Sequence, residues 1–190
     1  MELRDLVLEN RSYRRFHQDV AVGLATLRQL VDLARQSASA ANLQPLKYIL
    51  SADRSKNSLI FEQLGWAAYL KDWPGPAEGE RPTAYIVVLG DTRIKPSFGC
   101  DHGIAAQTIL LGATAIGLGG CMVGSIRTEQ LRSALKIPDQ HEILLVIALG
   151  KPKETVVIDT VGPEGDIKYW RDDEGTHHVP KRPLDEIIIG

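Results

Sequence analysis

The stretch DHGIAAQTILLGATAIGLGGCMV, residues 101–123, carries the strongest structural signal in this chain. From residue 101 to about 116 it predicts a long helix that is apolar on nearly every side, so protein must cover all of its faces. Gly117-Leu118-Gly119-Gly120 then predicts a helix end that turns into a short strand at 119–123, because glycine tolerates positive φ. We expect this helix at the centre of the fold or of a dimer, since its small residues allow another helix to approach closely.

The segments on both sides alternate between helical and extended patterns. Helices are expected at residues 3–10, from the capping box Thr26-Leu27-Arg28-Gln29 onward, at 59–70 and at 128–136. Strands are expected at 47–50, 84–90 and 143–150. Residues 72–82, with three prolines and two glycines, predict a surface loop, and the charged segment after residue 150 predicts irregular structure. This interleaving indicates an α/β or α+β fold with one mixed sheet.

Composition restricts the class of protein. The chain has 190 residues, 44% hydrophobic and 24% charged, which suits one water-soluble domain over residues 1–190. Its net charge of −2 gives no general attraction to nucleic acid or to an anionic membrane, so we expect neither partner. Cys100 and Cys121 cannot form a disulfide scaffold, and the N-terminus lacks a signal peptide. Both observations favour reduced thiols and a cytoplasmic location.

Two N-terminal stretches indicate a ligand when they are taken together. In Arg11-Ser12-Tyr13-Arg14-Arg15-Phe16, arginines and a hydroxyl could grip a phosphate, although a solvated basic patch at a helix end explains the same residues. In Ser39-Ala40-Ala41-Asn42-Leu43-Gln44-Pro45, hydroxyl and amide groups could read the edge of a flat ring. Turn chemistry also explains Ser39 and Pro45, but it explains Gln44 poorly. A phosphorylated heteroaromatic ligand would use both stretches.

Motifs for other chemistries are absent or weak. The glycines at 117–120 are no dinucleotide fingerprint, because they follow a helix and precede a strand, and the chain has no Gly-Lys-Ser/Thr step for a phosphate-binding loop. Cys100 and His102 are too close in sequence to act as nucleophile and base, and Asp101 between them is expected to cap the helix. The adjacent His177 and His178 lack further ligands at a suitable spacing, so no metal site is expected.

Two sets of residues leave alternatives open. Trp66, Tyr69 and Trp73 flank the proline-rich loop and form either a small satellite core or an aromatic wall over a flat substrate. Lys181-Arg182 is either a surface charge pair or, if the chain folds back to the N-terminal arginines, the completion of a phosphate clamp.

At these residues the chain resembles the FMN-dependent nitroreductase family. Four segments match in the family's order: residues 11–16, the Ser-x-x-Asn-x-Gln-Pro motif of residues 39–45, residues 101–107 with the glycine turn at 117–120, and Lys181-Arg182-Pro183-Leu184-Asp185-Glu186. Asn10 stands where members often carry another arginine, and Leu46 replaces a frequent tryptophan. The resemblance also implies that the loop at 72–82 replaces a longer, substrate-covering helical insertion of the family.

The resemblance implies an α+β, nitroreductase-like fold, with a central mixed, antiparallel-rich sheet surrounded by helices. It also implies a homodimer with FMN bound at the subunit interface. By this analogy the phosphate and ribityl chain are held by Arg11, Ser12, Arg14, Lys181 and Arg182. The flavin is contacted by Ser39, Asn42 and Gln44, partly from the partner chain, and its N5 faces the backbone N–H near Gly124.

The chemistry implied by the resemblance belongs to the cofactor rather than to a catalytic side chain. NADH or NADPH would reduce the flavin, and the flavin would then pass hydride to a small organic acceptor, such as a nitro compound or a quinone, in a ping-pong reaction. Arg14 is the candidate cation at the N1/O2 edge of the flavin. A flavin-binding carrier or sensor without turnover is an alternative, and so is flavin chemistry such as dehalogenation, ene reduction or flavin breakdown.

Overall fold

A computed structural model describes residues 2–190, which form a main sheet, a smaller second sheet and six α-helices. The strands are β1 (Phe16–His17), β2 (Leu46–Ser51), β3 (Ala84–Asp91), β4 (Gly119–Val123), β5 (His141–Pro152), β6 (Val156–Thr160), β7 (Trp170–Arg171) and β8 (His177–Lys181). The helices are α1 (Leu3–Glu9), α2 (Leu24–Arg35), α3 (Arg54–Phe61), α4 (Asp101–Ala115), α5 (Thr128–Leu135) and α6 (Leu184–Ile187), and a 3-10 turn, Ala40–Asn42, precedes β2. None of the helices within residues 2–190 combines the length and apolar character needed to cross a bilayer.

The main sheet is built around β5. β3 and β4 pair antiparallel with its two edges, so that Ala84 and Gly120 both lie opposite Leu149. β2 pairs antiparallel with the far side of β3, and the short β1 pairs with β5 beyond the end of β4. A parallel bridge joins Ser12 to Gly120. The N-terminal arginine segment therefore lies along one edge of the sheet, and β2 forms the opposite edge.

Two hydrophobic cores cover the two faces of this sheet. On one face Ile86 and Val88 of β3 pack with residues of α2 and α4, and on the other Tyr85 and Val87 pack with residues of α3 and α5. All eight residues of β3 are buried, since successive side chains point to opposite faces and both faces are covered. This explains the unbroken apolar run in its sequence.

The structure confirms the central elements predicted from the sequence. The helix expected at 101–116 is α4, and the expected strands at 47–50, 84–90, 119–123 and 143–150 are β2, β3, β4 and β5. Gly117 has a φ of +72°, so glycine conformational freedom does end this helix before β4. The fold is of the α+β class with an antiparallel-rich sheet, as the resemblance implies.

The predicted capping box at Thr26 is wrong. α2 begins two residues earlier, at Leu24, with Gly23 as its extended N-cap residue. Thr26 therefore lies within the first turn of the helix. The position of the helix start follows from the backbone of Gly23, which leaves the carbonyl of that residue to accept from the N–H of Leu27.

The helix predicted at 59–70 is also wrong in its bounds. The Asp53 side chain caps α3 by accepting a hydrogen bond from the backbone N–H of Lys56, so the helix begins at residue 54 and ends at residue 61. Beyond it, the N–H of Gly65 donates to the carbonyl of Ser125, 2.8 Å away. This long-range contact draws the chain out of the helical path.

The segment after residue 150, predicted to be irregular, contains a three-stranded sheet. β8 is its central strand, parallel to β6 and antiparallel to β7, with Val156 opposite His177. These strands are short, and β7 and β8 are rich in charged and polar residues, which is why apolar periodicity did not reveal them. The structure thus has two sheets where the sequence indicated one.

The proline-rich loop at 72–82 is ordered against the N-terminal segment. The Glu80 carboxylate forms salt bridges with Arg15 at 2.6 Å and with Lys153 at 3.0 Å, and the hydrogen bond from Arg15 lowers the pKa of Glu80 to about 2. Gly75 lies against the indole of Trp66, where an added Cβ would come within 2.6 Å of the ring. The loop therefore folds back over Trp66.

Candidate functional site

A cavity of about 250 Å³ lies beside Arg14, at the edge of the main sheet. Its walls are the segments 65–68 and 121–125, and they include the indole of Trp66. Of the residues that line it within the described chain, Arg14 alone is charged. A ligand in this cavity would therefore meet one positive charge in otherwise neutral surroundings.

Neutral groups hold the guanidinium of Arg14. Its Nη1 lies 3.2 Å from the carbonyl oxygen of Ser12 and 3.3 Å from Nε2 of His177. Its central carbon lies 5.0 Å from the centre of the Tyr169 ring, within the range of a cation–π interaction. Three groups without net charge thus fix the position of this cation.

A buried carboxylate anchors the backbone of the same segment. Glu154 accepts hydrogen bonds from the backbone N–H groups of Arg14 and Arg15, and its side chain is only 1% exposed. Its second oxygen accepts a hydrogen bond from the guanidinium of Arg171, 3.0 Å away. Glu154 therefore ties the N-terminal arginine segment to β7 of the second sheet.

His177 is buried in this cluster, with 1% of its surface exposed. Burial, together with the positive charges of Arg14 and Arg171, lowers the pKa of His177 to about 4. Because a guanidinium can only donate, the neutral imidazole accepts at Nε2 and carries its proton on Nδ1. That Nδ1 is buried without a protein partner.

Ser12 and Arg11 lie next to this cavity in the chain. The bridge to Gly120 brings Ser12 beside β4, and the side chains of Ser12 and Arg14 both lie near the buried thiol of Cys121, whose pKa burial raises. The guanidinium of Arg11 donates to the carbonyl of Val7 at the end of α1, as expected for a basic residue at a helix C-terminus. Its Nε is buried and has no hydrogen-bond partner within the described chain, so this donor is unsatisfied in the protomer.

Ser39 has a structural role that the sequence only partly indicated. Its hydroxyl donates to Asp101, 2.6 Å away, and accepts from the backbone N–H of Gln44 at 3.0 Å. The expected role of Asp101 as helix cap is wrong, because Cys100 is the N-cap residue and Asp101 is the first residue of α4. The Asp101 carboxylate instead accepts from Ser39 and from the N–H of Ala40, and these hydrogen bonds lower its pKa.

Asn42 and Gln44 are exposed on a strained backbone. Their φ angles are +54° and +50°, and that of Ala41 is +51°, a region that residues other than glycine seldom adopt. The amide nitrogen of Gln44 donates to the side-chain oxygen of Asn42 at 3.1 Å. Such strain concentrates at ligand-binding sites, where the surrounding structure enforces it. Here Ser39 and Asp101 enforce it.

Within one chain the two predicted halves of the site are far apart. Ser12 is bridged to Gly120 at one edge of the main sheet, level with Ala84 of β3. Pro45 lies at the other edge, where its carbonyl accepts from the N–H of Asp91. The seven steps from residue 84 to residue 91 span about 23 Å at the rise of a β-strand. The two halves therefore occupy diagonally opposite corners of the sheet.

The glycines after α4 differ in the space around them. An added Cβ on Gly119 would lie 2.5 Å from the Tyr13 ring, and one on Gly120 would lie 2.5 Å from the carbonyl oxygen of Ala148. These two glycines serve packing, which agrees with the rejection of a nucleotide-binding loop. Gly124, which lines the cavity beside Arg14, has no atom within 4 Å of an added Cβ.

Lys181 and Arg182 do not reach the Arg14 cavity in one chain. Lys181 ends β8 opposite Thr160, four residues or about 13 Å beyond His177. Arg182 forms an exposed ion pair with Glu186 at 3.4 Å. Within the protomer the interpretation as a surface charge pair fits both residues, and a role toward phosphate stays a prediction.

The three aromatic residues whose role was open lie in two environments. Trp66 lines the cavity and packs on Phe61 of the second core, with ring centres 5.7 Å apart. Tyr69 packs on Tyr169, with ring centres 4.9 Å apart, and Trp73 lies under the guanidinium of Arg171. The loop and the second sheet therefore form one aromatic cover next to Arg14.

Sequence analysis missed the contributions of Glu154, Tyr169 and His177 to this site. The histidine doublet was weighed only as a metal site, and no cluster of three or more His, Cys, Asp or Glu residues within the described chain could hold a metal ion. The His177-His178 doublet itself contained a usable signal. Adjacent residues of a strand face opposite sides, so in a strand only one of the two histidines becomes buried.

The chain is similar to known proteins over most of its length. Residues 7–151 match the family model described as "Nitroreductase family". A protein of Methanothermobacter thermautotrophicus, provisionally named NADH dehydrogenase/NAD(P)H nitroreductase, is 30% identical over 81% of this chain and 79% of its own length. The NADPH-flavin oxidoreductase of Vibrio harveyi is 24% identical over 79% of this chain and 65% of its own length.

Solved structures show the same fold. The crystal structure of a nitroreductase family protein from Streptococcus pneumoniae TIGR4 covers all of this chain and all of its own, with a TM-score of 0.72 at 15% identity. Another, from Clostridium difficile 630, covers 100% of this chain and 98% of its own, with a TM-score of 0.70 at 19% identity.

Proposed function

The chain belongs to the nitroreductase family, and we propose that it is an FMN-dependent oxidoreductase that takes electrons from NADH or NADPH and passes them to a small organic acceptor. Names of relatives link this family to nicotinamide and to flavin. The cavity beside Arg14 is the observation that carries the proposal. One cation in neutral, partly aromatic surroundings suits a flat ring that gains negative charge when it is reduced.

The residues present fit a flavin mononucleotide. The buried Nε of Arg11 is a donor without a protein partner, and phosphate oxygens are suitable acceptors for it. The open space in front of Gly124 would let a ring approach the backbone closely. A bound flavin would supply the two-electron chemistry, which explains why no acid–base pair is needed among the side chains.

Each candidate residue has a distinct proposed task. Arg14 would stabilise negative charge at the N1/O2 edge of the flavin, and the backbone N–H near Gly124 would face its N5. Arg11 and Ser12, joined by Lys181 and Arg182, would bind the phosphate and ribityl chain.

A symmetric homodimer would complete the site. The cavity of about 250 Å³ is smaller than most cofactor pockets, which indicates that another surface closes it. Ser39, Asn42 and Gln44 lie at the opposite corner of the same protomer, so a two-fold axis could place them against the Arg14 cavity of the partner. The isoleucines at the C-terminal end support this arrangement, since Ile187 and Ile188 are exposed and Ile189 is 98% exposed in the protomer.

The proposal is tested by the colour of the protein and by its reduction. We expect the purified protein to bind FMN with a visible flavin spectrum that bleaches rapidly on mixing with NADH or NADPH and recovers when a quinone or nitro compound is added. Arg14→Ala should lose most of the flavin, whereas Arg54→Ala, which removes an exposed arginine of α3 that does not line the cavity, should keep it.

Three outcomes would count against parts of the proposal. A colourless protein that does not bind added FMN would rule out the cofactor. Full flavin retention in Arg14→Ala would rule out the assigned site. A bound flavin that neither nicotinamide bleaches would identify a carrier or sensor instead of an oxidoreductase.

A further inference from the structure

We propose that His177 is a positioning residue for Arg14: it fixes the guanidinium through a neutral acceptor and leaves the positive charge of Arg14 available to the flavin. This inference rests on the proposed function. It concerns how the protein sets the reduction potential of the flavin, and it assigns a task to a residue of the second sheet, outside the segment 7–151 that matches the family.

The first argument is the character of the groups around Arg14. Its guanidinium is held by the Ser12 carbonyl, the His177 imidazole and the Tyr169 ring, at 3.2, 3.3 and 5.0 Å. Within residues 2–190 the Arg14 guanidinium forms no salt bridge, whereas the neighbouring Arg15 pairs with Glu80. A guanidinium held by neutral groups keeps more of its attraction for an anionic ligand, because no carboxylate pairs with it directly.

The second argument is the arrangement of the nearest buried carboxylate. Glu154 lies in direct contact with the Arg14 segment, yet its oxygens are occupied by two backbone N–H groups and by Arg171. The structure therefore uses this negative charge to anchor the backbone and to balance a different arginine. His177 takes the place at Arg14 that a carboxylate often takes beside a buried guanidinium.

The third argument is the charge state of His177. The ring faces Arg14 from the N-terminal segment and Arg171 and Tyr169 from the β7 region, and the charge of His178 acts on it from the opposite side of its own strand. Burial and these cations lower the pKa of His177, so the ring is neutral at pH 7 and can accept from Arg14. A lysine in its place could not accept, and a carboxylate would neutralise the charge that the flavin needs.

The tautomer of His177 gives a test that does not depend on flavin. Long-range ¹H–¹⁵N NMR spectra of the apoprotein at pH 7 should show a neutral ring protonated at Nδ1, because Nε2 accepts from Arg14. A ring protonated at Nε2, or at both nitrogens, would contradict the proposed contact.

The reduction potential gives the functional test. In His177→Phe the ring volume remains but the acceptor is lost, so we expect the preference for reduced over oxidised FMN to fall about tenfold. For a two-electron couple this corresponds to a potential lower by about 30 mV. His177→Gln retains a neutral acceptor and should stay close to wild type, which separates the hydrogen bond from packing.

His178 offers a matched control on the same strand. It pairs with Asp159 at 2.8 Å and Asp172 at 3.2 Å and stacks on Trp170, away from Arg14. His178→Phe should lower the melting temperature without moving the flavin potential. An equal shift of potential in His177→Phe and His178→Phe would mean that both act only through the stability of the second sheet, and the inference would be wrong.

A double-mutant cycle shows whether His177 acts through Arg14. The effect of His177→Phe on FMN affinity, measured by titration of the apoprotein, should disappear in an Arg14→Ala background, because the residue it positions is gone. Persistence of the full effect there, or no effect in the wild-type background, would overturn the inference while leaving the flavin site intact. Wild-type protein that binds no FMN would overturn the proposed function and this inference together.

Discussion

At the scale of single residues, the space around Gly124 separates a binding role from a packing role. Gly119 and Gly120 would clash with the ring of Tyr13 and the backbone of Ala148 if either gained a Cβ. Gly124 has no such neighbour and no positive φ, so neither packing nor conformation requires glycine there. A ligand that approaches the backbone closely does require it.

This difference yields a prediction for Gly124→Ala. The unfolding free energy of the apoprotein should change by no more than about 0.5 kcal/mol, since the new methyl group meets no protein atom. FMN affinity should fall about tenfold, or about 1.4 kcal/mol, because the methyl group occupies the space of the ring. Fluorescence titration of the apoprotein and thermal melts measure the two quantities.

Gly162→Ala is a suitable control for this experiment. Gly162 is an exposed glycine that also has no atom within 4 Å of an added Cβ, and it lies outside the cavity. It should leave both FMN affinity and stability unchanged. Unaltered affinity in Gly124→Ala as well would remove Gly124 from the site.

At the scale of elements, β8 gives its two histidines opposite environments. Adjacent strand residues face opposite sides, so His177 points into the Arg14 cluster while His178 points to Asp172 and Asp159. Burial lowers the pKa of His177 to about 4, whereas the hydrogen bond to Asp172, followed by that to Asp159, raises the pKa of His178. The pKa values of these two neighbouring histidines are therefore shifted in opposite directions.

These shifts predict a stability maximum near pH 6.5. Below that pH the unfolded chain takes up a proton at residue 177 that the folded protein does not, so stability falls as the pH drops toward 4, by up to about 3 kcal/mol. The contribution of His178 is fully present below about pH 6.5 and is lost as the pH rises through its raised folded pKa. Urea unfolding curves from pH 4.5 to 8.5 would trace both limbs.

Two variants test which histidine causes the acidic side and which the alkaline side of this dependence of stability on pH. His177→Gln should flatten the acid limb above pH 5, where the carboxylates with lowered pKa, such as Glu80, are still ionised in both states. His178→Gln should flatten the alkaline limb. A profile that neither variant changes would show that these histidines do not control the pH dependence.

At the scale of the whole molecule, the position of the two half-sites predicts complementation between protomers. One heterodimer of Arg14→Ala and Asn42→Ala chains, prepared with two affinity tags, would place both substitutions in one site and none in the other. We expect each homodimeric variant to bind FMN weakly and the heterodimer to bind one FMN at wild-type affinity. Light scattering should report a mass of twice the 20.9 kDa chain.

The opposite result is equally informative. If Arg14 and Asn42 served one site within the same protomer, every site of the heterodimer would carry one substitution, and none would bind at wild-type affinity. A monomeric mass at micromolar concentration would exclude the shared site directly.

Residue patterns were sufficient to predict the central helix and strands and the residue types of the candidate ligand contacts. β3, β5 and α4 were predictable because their apolar patterns depend on neighbouring residues and on the period of the backbone. The residue types at 11–14 and 39–44 led to the prediction of a phosphorylated aromatic ligand. They could not indicate that Ser39 holds a strained turn, since its partner Asp101 is 62 positions away.

Contacts between residues that are distant in the sequence became visible only in the folded chain. His177 reaches Arg14 across 163 positions, and Glu154 reaches the same segment across 140. The second sheet and the end of α3 likewise follow from pairing between segments that are distant in the sequence. A contact between distant residues closes a long loop of chain, and whether that loop closes depends on how whole segments pack together. A local pattern of residue types does not contain that information. The diagonal separation of the half-sites arises in the same way, from the order of strands in the sheet.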